Sequence, residues 1–262
     1  MGGFSFASVI LSYFLVAGGT FLATILAARL GIQNEYLGYA IMAVGGAFGG
    51  LLAARTSAES TIIEPAMGSL LMVGSLFVLG VALAGKEDRS LLLLPSSLKG
   101  LSLTAAASAG GGIAGAFLSE KIFGTASKSS VPWIVYATFA GFGAGVIGTI
   151  FGASIGKGEP GPLYGIVAIC CMLVGISSGA SARTRPLLAT LFGGAIGTGG
   201  FYFLTIYLLA SLFAPGATAA SIPSEVYAGI AVVAVGAGIV TMIGALIGWL
   251  AAGKKAATGA AA

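Results

Sequence analysis

The sequence predicts an all-α integral membrane protein of about eight transmembrane helices, and three observations carry that prediction. Of 262 residues, 57% are apolar and only 8% are charged, with a mean hydropathy of +1.05. A soluble domain carries about 25% charged residues because its surface faces water. This chain has too few charges to build such a surface, whereas a protein facing lipid needs none there. The second observation is where the charges fall. Charge-free runs cover 1–28, 36–54, 65–85, 100–119, 129–156, 160–182, 186–224 and 226–253, with the charged residues in the short gaps or the tail. As helices, these runs are about long enough to cross a hydrocarbon core of ~30 Å, which takes about 20 residues. Third, no ~10-residue alternating segments of the kind that build a transmembrane β-barrel occur.

Spans are expected near 8–28, 36–54, 65–85, 100–119, 131–156, 162–182, 186–213 and 226–253. Met1–Ser5 carries no basic residue and no cleavage site ends the first apolar run, so Ser8–Ala28 reads as a retained span. The longest gap, Lys86–Lys99, contains Leu91–Leu94 and Pro95 and reads as an interfacial segment too short to cross. Pro65, Pro132, Pro162 and Pro186 sit at or beside expected helix starts, where a missing N–H is least disruptive. Pro95, Pro160, Pro215 and Pro223 fall between spans. The two cysteines, Cys170 and Cys171, are adjacent and mid-span, which suits small buried packing residues rather than a disulfide.

Residues 1–262 form a single polytopic membrane domain with an internal duplication, expected as repeats 1–125 and 129–255. One offset aligns Arg29 with Lys157, Tyr36 with Tyr164, and Arg55-Thr56 with Arg183-Thr184; a slightly different one aligns Pro65 with Pro186. Four spans return a chain to its starting side, so the tandem repeats are expected in parallel orientation. Arg55, Lys121, Lys128, Arg183, Arg185, Lys254 and Lys255 fall on one side of this topology, and Arg29, Lys86, Arg89, Lys99 and Lys157 on the other. The positive-inside rule then places both termini in the cytoplasm, in a membrane expected to be the bacterial inner membrane.

The 44 glycines are the main structural signal, because they sit inside the apolar runs. Gly45, Gly46, Gly49 and Gly50 fall in the second span, Gly110–Gly112 and Gly115 in the fourth, and Gly141, Gly145, Gly148, Gly152 and Gly156 in the fifth. Lipid offers little hydrophobic drive to join helices, so small residues that permit close backbone contact favour association. A second reading is local unwinding at Gly110–Gly112 or Gly197–Gly200, which would open backbone carbonyls to a mid-membrane site. If Gly111 serves packing alone, alanine there is expected to be tolerated and leucine is not.

The chemistry narrows function mostly by exclusion. There is no histidine, one aspartate (Asp88), and no carboxylate or basic residue at the expected centre of any span. Carriers coupled to protons usually keep such a residue inside the membrane. His/Cys metal sites and histidine-based catalytic triads are excluded, and no enzyme activity, metal or cofactor is expected. Neutral hydroxyls and glycines remain, and the candidate mid-membrane site is Thr104, Ser108, Gly111, Thr198, Gly199 and Thr241. The ordinary reading of such hydroxyls is a bond to their own or a neighbouring helix. Arg55, Glu64, Arg183 and Arg185 form a candidate cytoplasmic ion-pair cluster, the ordinary reading being interfacial or solvated anchors. The Ala-Arg-Thr-Arg-Pro turn at 182–186 is superficially similar to the hairpin of rotary ATPase c subunits. That family needs a mid-membrane carboxylate on the following helix, and this chain has none there.

Two functions fit. One is a small permease or channel-like protein for a neutral solute, or for an ion held by backbone carbonyls, without proton coupling through a buried carboxylate. The other is a non-catalytic subunit of a larger membrane complex. Expected partners are the lipid bilayer and, through Gly/Ala helix faces, other membrane subunits or further copies; nucleic acid is not expected.

Overall fold

The computed structural model describes residues 5–32, 34, 36–56, 62–123, 133–157, 159–181, 187–213 and 218–259. Its elements are α1 (Phe6–Arg29), α2 (Leu37–Thr56), α3 (Ile63–Leu83), α4 (Lys86–Leu92), α5 (Pro95–Phe123), α6 (Trp133–Ile155), α7 (Pro160–Ser181), α8 (Leu187–Phe213) and α9 (Ser224–Gly259), with a 3₁₀ turn at Ala219–Ser221. All but α4 are long and apolar enough to cross a membrane, which gives eight candidate spans. The protein is a polytopic helical membrane protein, and no strand occurs among the described residues.

Local chemistry sets the helix ends. The Ser5 hydroxyl accepts the Ser8 N–H at 3.3 Å and caps α1. At the other end Gly31, in the left-handed region at φ 63°, donates to the Ala28 carbonyl, and Ile32 donates to that of Ala27. These two bonds are the Schellman closure that a left-handed residue permits. The C-terminus of α3 is satisfied from outside. Arg89, on the short α4, donates from its guanidinium to the carbonyls of Val81, Ala82 and Ala84 at 2.9–3.1 Å. A cation suits that end because freed carbonyls carry the negative pole of the helix. The interfacial segment expected at Lys86–Lys99 is therefore α4 plus the first turn of α5, held under α3 by one arginine. Two prolines expected between spans, Pro95 and Pro160, instead open α5 and α7. Proline is preorganised for the first helical position, so α5 begins five residues and α7 two residues earlier than hydropathy alone placed them.

The chain forms two compact units, Met1–Val131 and Pro132–Ala262. In the first, α1 packs on α2, α2 on α5, α5 on α3, and α3 back on α1. In the second, α6 packs on α7, α7 on α9, α9 on α8, and α8 back on α6. Each unit is thus a ring of four spans with one pattern of neighbours. Within each ring the α2–α5 and α7–α9 pairs run parallel, because two spans that are both even in order along a unit point the same way. Each core is apolar: Val9, Leu11, Phe14, Leu15 and Met72 are buried in the first unit, and Tyr136, Ala137, Ala144, Cys171 and Val174 in the second.

The turn after α6 contains the one non-glycine residue with positive φ among the described residues, Lys157 at 50°. Left-handed backbone in an L-residue costs about 1–2 kcal/mol. Lys157→Gly is therefore expected to raise the thermal midpoint of the protein in detergent, and Gly31→Ala to lower it. A midpoint lowered by Lys157→Gly would contradict this account of the turn.

Candidate functional site

The tightest packing in each unit lies where its parallel pair crosses. In the first unit, a Cβ added to Gly46 would overlap the carbonyl oxygen of Ser108, and one on Gly50 that of Gly112. Reciprocally, a Cβ on Gly111 would strike the Ala43 carbonyl, and one on Gly115 that of Ala47. In the second unit the same four contacts recur. Gly175 and Gly179 on α7 meet the carbonyls of Thr241 and Ala245, and Gly244 and Gly248 on α9 meet those of Met172 and Ile176. Each glycine lets two backbones touch, and the short Cα–H to carbonyl approach adds a weak attraction of about 0.5–1 kcal/mol. The offset that carries Gly46 and Gly50 onto Gly175 and Gly179 is one residue longer than that aligning Tyr36 with Tyr164. On α3 and α8, Gly68 faces Ser12 and the Tyr13 nitrogen, as Gly193 faces Ala137 and the Thr138 nitrogen. Packing thus matches Gly68 with Gly193, and Pro65 with a position one turn beyond Pro186.

The helix runs unbroken through Gly110–Gly112 and Gly197–Gly200, so neither triplet is an unwound carbonyl site. Neither is Gly111 a position where alanine fits, contrary to the sequence expectation, because its neighbour is backbone that cannot swing aside.

The candidate mid-membrane residues divide between the two units. In the first, the Thr104 hydroxyl donates to the Gly100 carbonyl at 2.9 Å, one turn back on its own helix. Ser108 and Gly111 lie on α5 against α2, with Ser108 fully buried and its hydroxyl unbonded among the described residues. In the second unit, Thr198 on α8 and Thr241 on α9 come together around Cys171 on α7. The Cys171 thiol lies 3.6 Å from the Thr198 hydroxyl, and Thr241 packs against Gly175 of α7 and Gly194 of α8. Thr198 donates to the Gly141 carbonyl on α6 at 3.0 Å, and Thr241 to Ala237 on its own helix at 2.7 Å. Gly199 turns away from this cluster and faces Ala234.

One thiol, one hydroxyl and one carbonyl therefore join α7, α8 and α6 at buried positions, and Thr241 of α9 packs beside them. Sequence reading took Cys171 as packing alone. The available signal was its place midway along a span, at the helical level of Thr198 and Thr241. The cluster is neutral and can donate and accept hydrogen bonds, but it contains no base to activate the thiol. No group of three or more metal-ligating side chains occurs among the described residues.

Glu64 differs from expectation. It lies in the first turn of α3 with 1% of its surface exposed, rather than in a solvated connection, and its Oε1 accepts the Ser5 N–H at 2.7 Å. A carboxylate there also suits the positive end of the helix. The Arg55 side chain, Arg183 and Arg185 lie outside the described residues, as does the ion pair expected of them.

Adjacent glycines give a matched test. A Cβ on Gly110 meets no atom within 4 Å, whereas one on Gly111 meets the Ala43 backbone. Gly110→Ala is expected to stabilise by up to about 1 kcal/mol through helix propensity. Gly111→Ala is expected to destabilise by about 1–3 kcal/mol, as overpacking does. Equal thermal midpoints for the two variants in detergent would contradict the crossing. No known protein family, curated protein or solved structure matches the chain.

Proposed function

We propose that this chain is a small permease for a neutral solute, built as a tandem duplication of a four-span unit, with both termini in the cytoplasm of a bacterial inner membrane. The observation that carries the reading is the Cys171–Thr198–Thr241 cluster. It places neutral hydrogen-bonding groups from three helices at mid-span, with the Gly141 carbonyl of the fourth. The duplication is supported by the matching neighbour pattern and by four glycine–carbonyl contacts recurring at constant offsets. The sequence adds that no carboxylate or basic side chain lies at the expected centre of any span, which favours movement down a gradient without proton coupling.

A non-catalytic subunit of a larger complex is the second reading, and one observation favours it. Gly74 on α3 faces outward with no atom near its Cβ position, beside exposed Leu70, Leu71 and Val78. A small residue on an exposed apolar face would let a foreign helix approach closely.

Proteoliposomes challenged with urea, glycerol and larger polyols separate the two. The permease reading predicts accelerated flux of at least one solute, unchanged by a protonophore and reduced by Thr198→Val. Flux that collapses on adding protonophore at constant membrane potential would overturn the uncoupled mechanism. No flux for any solute, with stable co-purification of a fixed membrane partner, would establish the second reading instead.

A further inference from the structure

On the N-terminal side of their crossing at Gly175 and Gly244, α7 and α9 border a groove of about 500 Å³. Tyr164, Ala168 and Cys171 line it on α7, and Gly229, Val233 and Val240 are among its lining residues on α9. The volume lies in the ~300–1,000 Å³ range of small-molecule sites. Yet its wall is almost wholly apolar, with Tyr164 toward the helix ends and the Cys171 thiol at mid-span.

We propose that this groove holds one acyl chain of a bilayer lipid. Its length decides against the other obvious occupant, a partner helix. From Gly229 to Val240 the groove runs about 16 Å at 1.5 Å per residue. That is roughly half of a ~30 Å hydrocarbon core, the depth of one leaflet. A transmembrane helix would need the full depth, and here the glycine crossing closes the groove at mid-span. An acyl chain ends where the leaflet ends.

The first unit points the same way. The offsets that match the glycine crossings carry Ala168 onto Tyr39 and Val233 onto Gly100. There the Tyr39 hydroxyl lies 4.0 Å from the Cβ position of Gly100, so a side chain of that unit reaches across the corresponding space. The second unit has alanine where the first has tyrosine, so the side chain at this position leaves the groove of its own unit open. Gly236 adds to this opening, because no atom lies within 4 Å of its Cβ position. The proposal rests on this geometry and does not depend on transport.

The test uses the full chain in phosphatidylcholine vesicles containing a lipid with a diazirine on its acyl chain. After irradiation, labelled peptides are read by mass spectrometry, and the exposed α8 face (Leu188, Phe192 and Ile196) serves as the reference for ordinary lipid contact. Labelling of the 164–171 and 229–240 segments is expected to exceed that reference. Ala168→Tyr should lower it roughly tenfold, the equivalent of about 1.4 kcal/mol of lost binding, with α8 labelling unchanged. Gly236→Leu fills the groove from the other helix and should do the same, so misfolding of one variant leaves the other informative. Groove labelling no higher than the reference, or unaltered in a folded variant, would overturn the proposal.

Discussion

The contact between glycine Cα atoms and facing carbonyl oxygens is the interaction on which this structure depends. In water, helices associate because burial removes apolar surface from solvent; in hydrocarbon that drive is missing. What remains is dispersion between closely matched surfaces, weak polar attraction, and a few hydrogen bonds. All three grow as backbones approach, and only glycine allows the approach seen at Gly46, Gly50, Gly111 and Gly115 and again at Gly175, Gly179, Gly244 and Gly248. The crossings fix how α2 lies on α5 and α7 on α9, and the other two helices of each unit pack against that pair.

This constraint also determines where function can sit. A region zipped backbone to backbone has no room for a solute, so polar groups buried beside it either bond within the protein or meet a ligand elsewhere. Most choose the first course. Ser12, Ser69, Thr104, Ser177 and Thr241 each donate to a carbonyl one turn back on their own helix. Thr198 is different, since it reaches across to α6. Together with Cys171 it gives the second unit a buried hydrogen-bonding centre, and an apolar groove between α7 and α9 lies beside it. The first unit has tyrosine in the matching place. Two units with one packing plan thus differ in the feature that a ligand would meet.

Much of this was legible in the sequence, and the limits have physical causes. The eight spans follow from charge placement, because a charge inside hydrocarbon is costly enough to mark every boundary. Pro95 and Pro160 were misplaced because hydropathy locates the apolar run, whereas the helix starts where the backbone permits it. Packing was one of the two readings of the glycines, and it holds for those at the crossings. Which glycine faces backbone and which faces open space was not legible: Gly110 and Gly111 are neighbours with opposite surroundings. Of the candidate site, Thr198 and Thr241 do come together, but the thiol between them was passed over. Cysteine is so often a small core residue that its type says little about its partners. Glu64 was read as a candidate for an ion pair with Arg183 or Arg185, which lie outside the described residues, and sequence could not foretell that the Ser5 amide lies beside it.

The central claim is that one backbone crossing, used in both units, holds the protein together. Gly50 and Gly179 occupy the same place in their respective crossings, against the carbonyls of Gly112 and Ala245. The most direct measurement is the thermal midpoint in one detergent of Gly50→Ala and of Gly179→Ala, each beside Gly253→Ala, where a Cβ meets no atom within 4 Å. The account predicts comparable losses for the first two, each about 1–3 kcal/mol as for overpacking, and none for the third. A protein that accepts alanine at either crossing as readily as at Gly253 would contradict it.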